Sequence, residues 1–219
     1  VIEYPSAQRS DVAPADYPAA IRANVTGTDL AAFAPRPTPP VCIFVCTHGK
    51  HDACCAKWGF PTYKALASEA PAYGDHFDLW EITHLGGCRL SGGALVLPQG
   101  RKYGRLVPSD AAPLLAAEAK GLPYLPAFRG TSALPAPAQV AEITALSHLP
   151  QGTRSKTVIE DRDGIFTVQT SAGPVRVRCW PEEVSSYGAC ADLKAQEPVP
   201  SRTIWRGALT EPANAPEKT

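Results

Sequence analysis

Five of the seven cysteines lie between residues 42 and 88, and the other two, Cys179 and Cys190, stand far downstream. A small disulfide scaffold needs an even count spread along the chain. This distribution argues instead for reduced thiols, with a metal or catalytic centre built from the early group. No charged segment followed by an apolar stretch opens the chain, so a cytoplasmic protein is expected. The lack of any Met implies a processed or truncated chain. Lys plus Arg and Asp plus Glu are each 21, giving a formal charge of zero and no bulk attraction to nucleic acid or an anionic membrane. No apolar run approaches the roughly 20 residues that a spanning helix needs.

The early cysteines fall within a readable pattern of elements. Val41-Cys42-Ile43-Phe44-Val45-Cys46 is a continuous apolar run bounded by prolines, as in a fully buried strand. Trp58, Tyr63, Leu66, Ala67 and Ala70 recur at near-helical spacing, with Pro61 as an early interruption. Strands follow at 77–82, 94–97 and 103–107, and Ser109 or Asp110 caps a helix running to about Lys120. The order β-α-β-β-α is that of a thioredoxin-like α/β fold, a small mixed sheet flanked by helices. Residues 1–40 carry seven prolines and one short helical stretch at Asp16–Ala23, so they wrap over this 41–125 domain. Residues 126–219 form a β-rich extension: a helix at Pro135–His148, then strands at 157–160, 165–170 and 174–179, and a Pro-rich end through Thr203-Ile204-Trp205 that packs back onto the body before a polar tail. Turns fall at Asp163-Gly164 and Ala172-Gly173.

The chemistry concentrates in Cys46-Thr-His-Gly-Lys-His-Asp-Ala-Cys54-Cys55 and in His84-Leu-Gly-Gly-Cys88. Two such loops after successive parallel strands leave the same end of a sheet, so their side chains converge into a four-ligand site. Structural zinc knuckles place two to four residues between ligands, whereas Cys46 and Cys55 have eight between them. The wide loop suits a cluster better than a single ion. Gly86 and Gly87 let the backbone approach a bulky inorganic core and donate N–H groups to its sulfides.

These motifs, with Cys-Arg-Leu-Ser-Gly-Gly from Cys88 and the later Gly-Arg-Lys-Tyr-Gly-Arg-Leu, resemble the sucrase/ferredoxin-like family, a branch of the thioredoxin-like [2Fe–2S] ferredoxins. The resemblance is strong over 41–120. It implies a [2Fe–2S] cluster with Cys46 and Cys55 on one iron and His84 as the first ligand of the other. The fourth position departs from the family's His pair and carries Cys88, giving a three-Cys, one-His set. It also implies one-electron transfer or redox sensing with a partner protein, and a homodimer is a compatible assembly. No paired carboxylates are placed for glycoside hydrolysis.

A neutral imidazole in place of a thiolate makes the cluster less negative, so its potential should lie above the about −400 mV of plant-type ferredoxins. The imidazole's second nitrogen also permits proton coupling. Two other readings stand: a zinc-stabilised binding module using the same ligands, and a thiol–disulfide oxidoreductase, which lacks a Cys-x-x-Cys motif. Cys54, His48 and His51 are alternative ligands. Asp52 is placed either to accept loop N–H groups or to support His84 from behind, and Arg89, Tyr103 and Arg105 are expected beside the cluster or at a docking face. Cys42 reads as core, Cys179 and Cys190 as structural free thiols, and His76 and His148 as surface residues without a partner.

Overall fold

The computed structural model describes residues 2–3, 8–27, 31–37, 39–50, 52–194 and 198–210. Position 51 and the polar tail thus lie outside the described residues. The N-terminal segment forms a small antiparallel sheet of β1 (Ile2–Glu3), β2 (Gln8–Arg9) and β3 (Arg36–Pro37), strands that the sequence pattern does not predict. Helix α1 (Tyr17–Thr26) covers the expected helical stretch and ends where Gly27 turns left-handed at φ 67°. Arg9 pairs with Asp78 on the main sheet and lies 5.5 Å over the centre of the Trp80 ring.

The main sheet has five strands: β4 (Val41–Cys46), β5 (Phe77–Ile82), β6 (Ala94–Leu97), β7 (Arg101–Tyr103) and β8 (Phe128–Thr131), in the spatial order β5-β4-β6-β7-β8. β4 runs parallel to β5 and antiparallel to β6, so it is central and its side chains are buried on both faces, which explains its unbroken apolar run. Ile43, Val45 and Val96 pack with Leu66 of α2 (Phe60–Glu69) and Leu114 and Leu115 of α3 (Ala111–Glu118). Each such side chain contributes about 1.5–3 kcal/mol by leaving water. The expected β-α-β-β-α order is present. β8 is an addition to it, and it carries this sheet past residue 125.

The remainder is helix α4 (Ala136–Ser147) followed by β9 (Ser155–Glu160), β10 (Ile165–Thr170), β11 (Gly173–Ser185), the short helix α5 (Cys190–Lys194) and β12 (Ser201–Leu209). These strands make a second, antiparallel sheet ordered β12-β11-β10-β9. The predicted hairpin at Asp163-Gly164 is present, both residues having positive φ (53° and 73°). β11 is longer than the sequence pattern indicates, and β12 is a strand it does not mark, because the two pair from Val177–Leu209 to Ser185–Ser201. Ala138, Ala141 and Ala145 of α4 lie against Phe166, Val168 and Val177. Buried Glu142 of the same helix accepts hydrogen bonds from Thr131 of the first sheet and Ser155 of the second. No described helix is long and apolar enough to cross a membrane.

Candidate metal centre

Parallel pairing sets Cys46, the last residue of β4, beside Ile82, the last residue of β5, so the two motif loops leave the same end of the sheet. The first loop ends in a π-helical turn, Cys55–Gly59, that runs directly into α2. Such wide turns concentrate at functional sites, and Pro61, which has no N–H to return to the preceding turn, favours one here. Gly59 lets this turn close on the strand, since a Cβ there would run into the Cys46 carbonyl. In the second loop Gly86 and Gly87 take φ 81° and 73°. A Cβ at Gly86 would meet open space, so glycine is required there by conformation rather than by crowding within the chain.

The result is a buried group of three thiols, Cys46, Cys55 and Cys88, covered by Leu85 and Ala189. Cys55 stands between the other two and is close to both. His84 joins from the exposed side, its Nδ1 3.4 Å from Cys88 Sγ. Burial, and then the neighbouring Cys46 and Cys88 thiols, push the Cys55 thiol far above its ordinary range. Burial also raises Cys88, and the Asp52 carboxylate adds to the effect. Cys55 and Cys88 thus resist ionisation when nothing positive lies among the sulfurs. A cation or cluster reverses that balance by binding the thiolates. Three sulfur donors and one imidazole fit either tetrahedral zinc or an iron–sulfur cluster.

The adjacent cysteine behaves differently. Cys54 forms a disulfide with Cys190, 136 residues further along. This corrects the expectation of reduced thiols throughout, of Cys190 as a free structural thiol, and of Cys54 as an alternative ligand. Buried Asp52 organises the join. Its carboxylate accepts the Cys54 N–H at 2.8 Å and the Cys190 N–H at 3.0 Å, and so joins two distant stretches of chain. Asp52, Cys54 and Cys190 bring donor atoms within 4.8 Å of one another, but the disulfide takes both thiols and makes that group a cross-link. The 187–192 segment is further fixed by Arg89 N–H donating to the Gly188 carbonyl, and by Asp192 accepting the Gly188 and Ala189 N–H groups. No local pattern around Cys190 signals this contact.

Other expected neighbours separate. Tyr103 is a core residue whose hydroxyl donates to Glu118, beside the Arg101–Glu118 ion pair, and whose ring lies 5.9 Å from that of Phe128. Strand alternation turns Arg101 and Tyr103 inward, so Tyr103 does not serve the thiol group through its hydroxyl. Arg89 and Arg105 face a groove beyond the thiols. His48 is a half-buried loop residue whose carbonyl accepts the Asp52 N–H, and His51 is outside the described residues. Cys42 is core as expected. Cys179 is a buried free thiol, raised by burial to about 11. His76, expected at the surface, is half-buried with its ring edge-on to Phe77, and exposed His148 bonds the Thr144 carbonyl through Nδ1.

With this geometry in place, the comparison that decides the family is a sequence match. The sucrase/ferredoxin-like family model matches residues 2–130. The chain belongs to that family. The match spans the N-terminal wrap and the whole five-stranded sheet except the last residue of β8. No curated protein matches the sequence. Among solved structures the chain is similar to a thioredoxin-like [2Fe–2S] ferredoxin from Aquifex aeolicus. It shares 17% identity with it at a TM-score of 0.40, over 45% of this chain and 97% of that one. A second, wild-type structure of the Aquifex aeolicus ferredoxin gives 18% identity and a TM-score of 0.38, over 42% and 97%. The second sheet, from β9 onward, lies beyond the sucrase/ferredoxin-like match.

Proposed function

We propose that the chain is a one-electron carrier or redox sensor that holds a [2Fe–2S] cluster on Cys46, Cys55, His84 and Cys88. The observation that carries this reading is the convergence of three buried thiols and one imidazole from two loops at one end of a parallel strand pair. Membership of the sucrase/ferredoxin-like family supports it. When bound, the cluster would supply one-electron chemistry.

The chain's residues set the conditions for that chemistry. The thiolates of Cys46, Cys55 and Cys88 hold the buried side, and Leu85 and Ala189 exclude water from it. His84 is the exposed member, so its second ring nitrogen can exchange a proton with solvent when the site gains or loses an electron. Electron exchange with a partner protein would take place on this side.

Iron and sulfide analysis, visible spectra and low-temperature electron paramagnetic resonance of anaerobically purified protein test the proposal. About two irons and two sulfides, with a paramagnetic signal on dithionite reduction, are expected. His84→Cys should keep the cluster and lower its potential while removing its dependence on pH. A colourless protein with stoichiometric zinc after iron-replete expression would overturn the reading.

A further inference from the structure

Three arginines far apart in sequence meet beside the thiol group with no acid to neutralise them. Arg89 follows Cys88, Arg105 follows β7 and Arg129 lies on β8. Together they line a cavity of about 580 Å3 between the first sheet, α4 and β12. An adjoining cavity of about 430 Å3 shares Arg89 and Arg129 and extends the groove to Gly86 and Gly87. No described Asp or Glu lines either cavity. Among the described residues none of the three arginines has an ion pair. A fourth, Arg206, reaches the same cavity but is taken by Glu182, with Nε to Oε2 at 2.5 Å.

This arrangement is unfavourable for the free protein. Partial desolvation, and then the charges of Arg89 and Arg105, lower the Arg129 guanidinium below its ordinary range, although all three side chains stay exposed to solvent. Arg105 holds a left-handed backbone at φ 61°, a conformation glycine adopts freely and a long side chain does not. The chain carries no net charge, so the concentration of positive charge is local. The charge repulsion is relieved by the entry of an anion, because guanidinium forks match the oxygen geometry of phosphate and carboxylate groups. The lining also includes apolar Trp205 and Ile143. A concave site of this size, with both charged and apolar lining residues, suits a small molecule better than a protein surface.

We infer that this groove binds a small organic oxyanion carrying at least two negative charges, with its anionic end on Arg89, Arg105 and Arg129 and its body against Trp205. The site stands on different residues from the cluster ligands and holds whether or not the thiols carry iron. It is tested by calorimetric titration of the full-length protein, as purified, with pyrophosphate and with citrate, against sodium chloride at matched ionic strength. At least one probe should bind above the chloride control, and the stronger of the two tells phosphate from carboxylate chemistry. Arg89→Gln and Arg129→Gln should each weaken it about tenfold, as expected for loss of a charged fork. Arg129→Lys should weaken it less, and Arg22→Gln, on α1, should leave it unchanged. Absence of binding by either probe would overturn the proposal, as would an affinity unmoved by Arg129→Gln. Binding of a glutamate-rich peptide alone would also overturn it, in favour of a protein-docking face.

Discussion

Cys54 and Cys55 are neighbours in the chain and opposites in the fold. Cys55 turns inward at the start of the π-helical turn and joins Cys46 and Cys88 in a pocket whose walls are the sheet end and the helix start. Cys54 turns outward and is tied to Cys190 across 136 residues, with Asp52 clamping both backbones. The first group is placed by local backbone: strand register, one close-approach glycine and two left-handed glycines. The second is placed by tertiary packing alone. Two thiols one residue apart thus take different redox states because the helical turn points them to different surroundings.

The sharpest way to separate the two groups is Cys55→Ser. It should abolish iron binding while leaving the Cys54–Cys190 bridge intact, as read by metal analysis and by mass spectrometry under non-reducing conditions. The reciprocal change, Cys54→Ala with Cys190→Ala, should keep the iron content. It should cost about 2–4 kcal/mol in denaturant unfolding, the range for a bridge closing a long loop. Should that double variant also lose its iron, the two groups would be one site and the comparison would fail.

Gly59→Ala strikes the local backbone instead. A methyl group meeting the Cys46 carbonyl should cost about 1–3 kcal/mol and lower iron occupancy without breaking the bridge. Asp52→Asn has the smallest expected effect, about 1 kcal/mol from one weakened backbone clamp. In iron-free protein it should also let Cys88 ionise at lower pH, because the carboxylate that opposes a thiolate there is gone. A titration of thiolate ultraviolet absorbance reads that shift, and a shift to higher pH would contradict the placement of Asp52.

How much of this could be read from the sequence follows the same division. The buried strand 41–46 and the paired loops that carry Cys46, Cys55, His84 and Cys88 were legible because each depends on short-range pattern: an unbroken apolar run, prolines at its borders, glycines between ligand types. β8 was not legible. Phe128-Arg-Gly-Thr is four residues with a glycine in the middle, and only pairing with β7 makes it a strand. Tyr103 misled through its position in a basic run, where alternation along β7 sends it to Glu118 instead. Cys190 and Arg129 gained their neighbours by long-range folding, which leaves no local trace.

Helix α4 has a practical consequence for anyone wishing to work with the thiol-bearing part alone. Its alanine face fills the second sheet while Leu146 packs into the first core, and Glu142 is bonded to a residue of each. A cut between the sheets would strand either an apolar helix face or a buried carboxylate. The protein is therefore poorly divisible, and a minimal functional fragment should extend through β12.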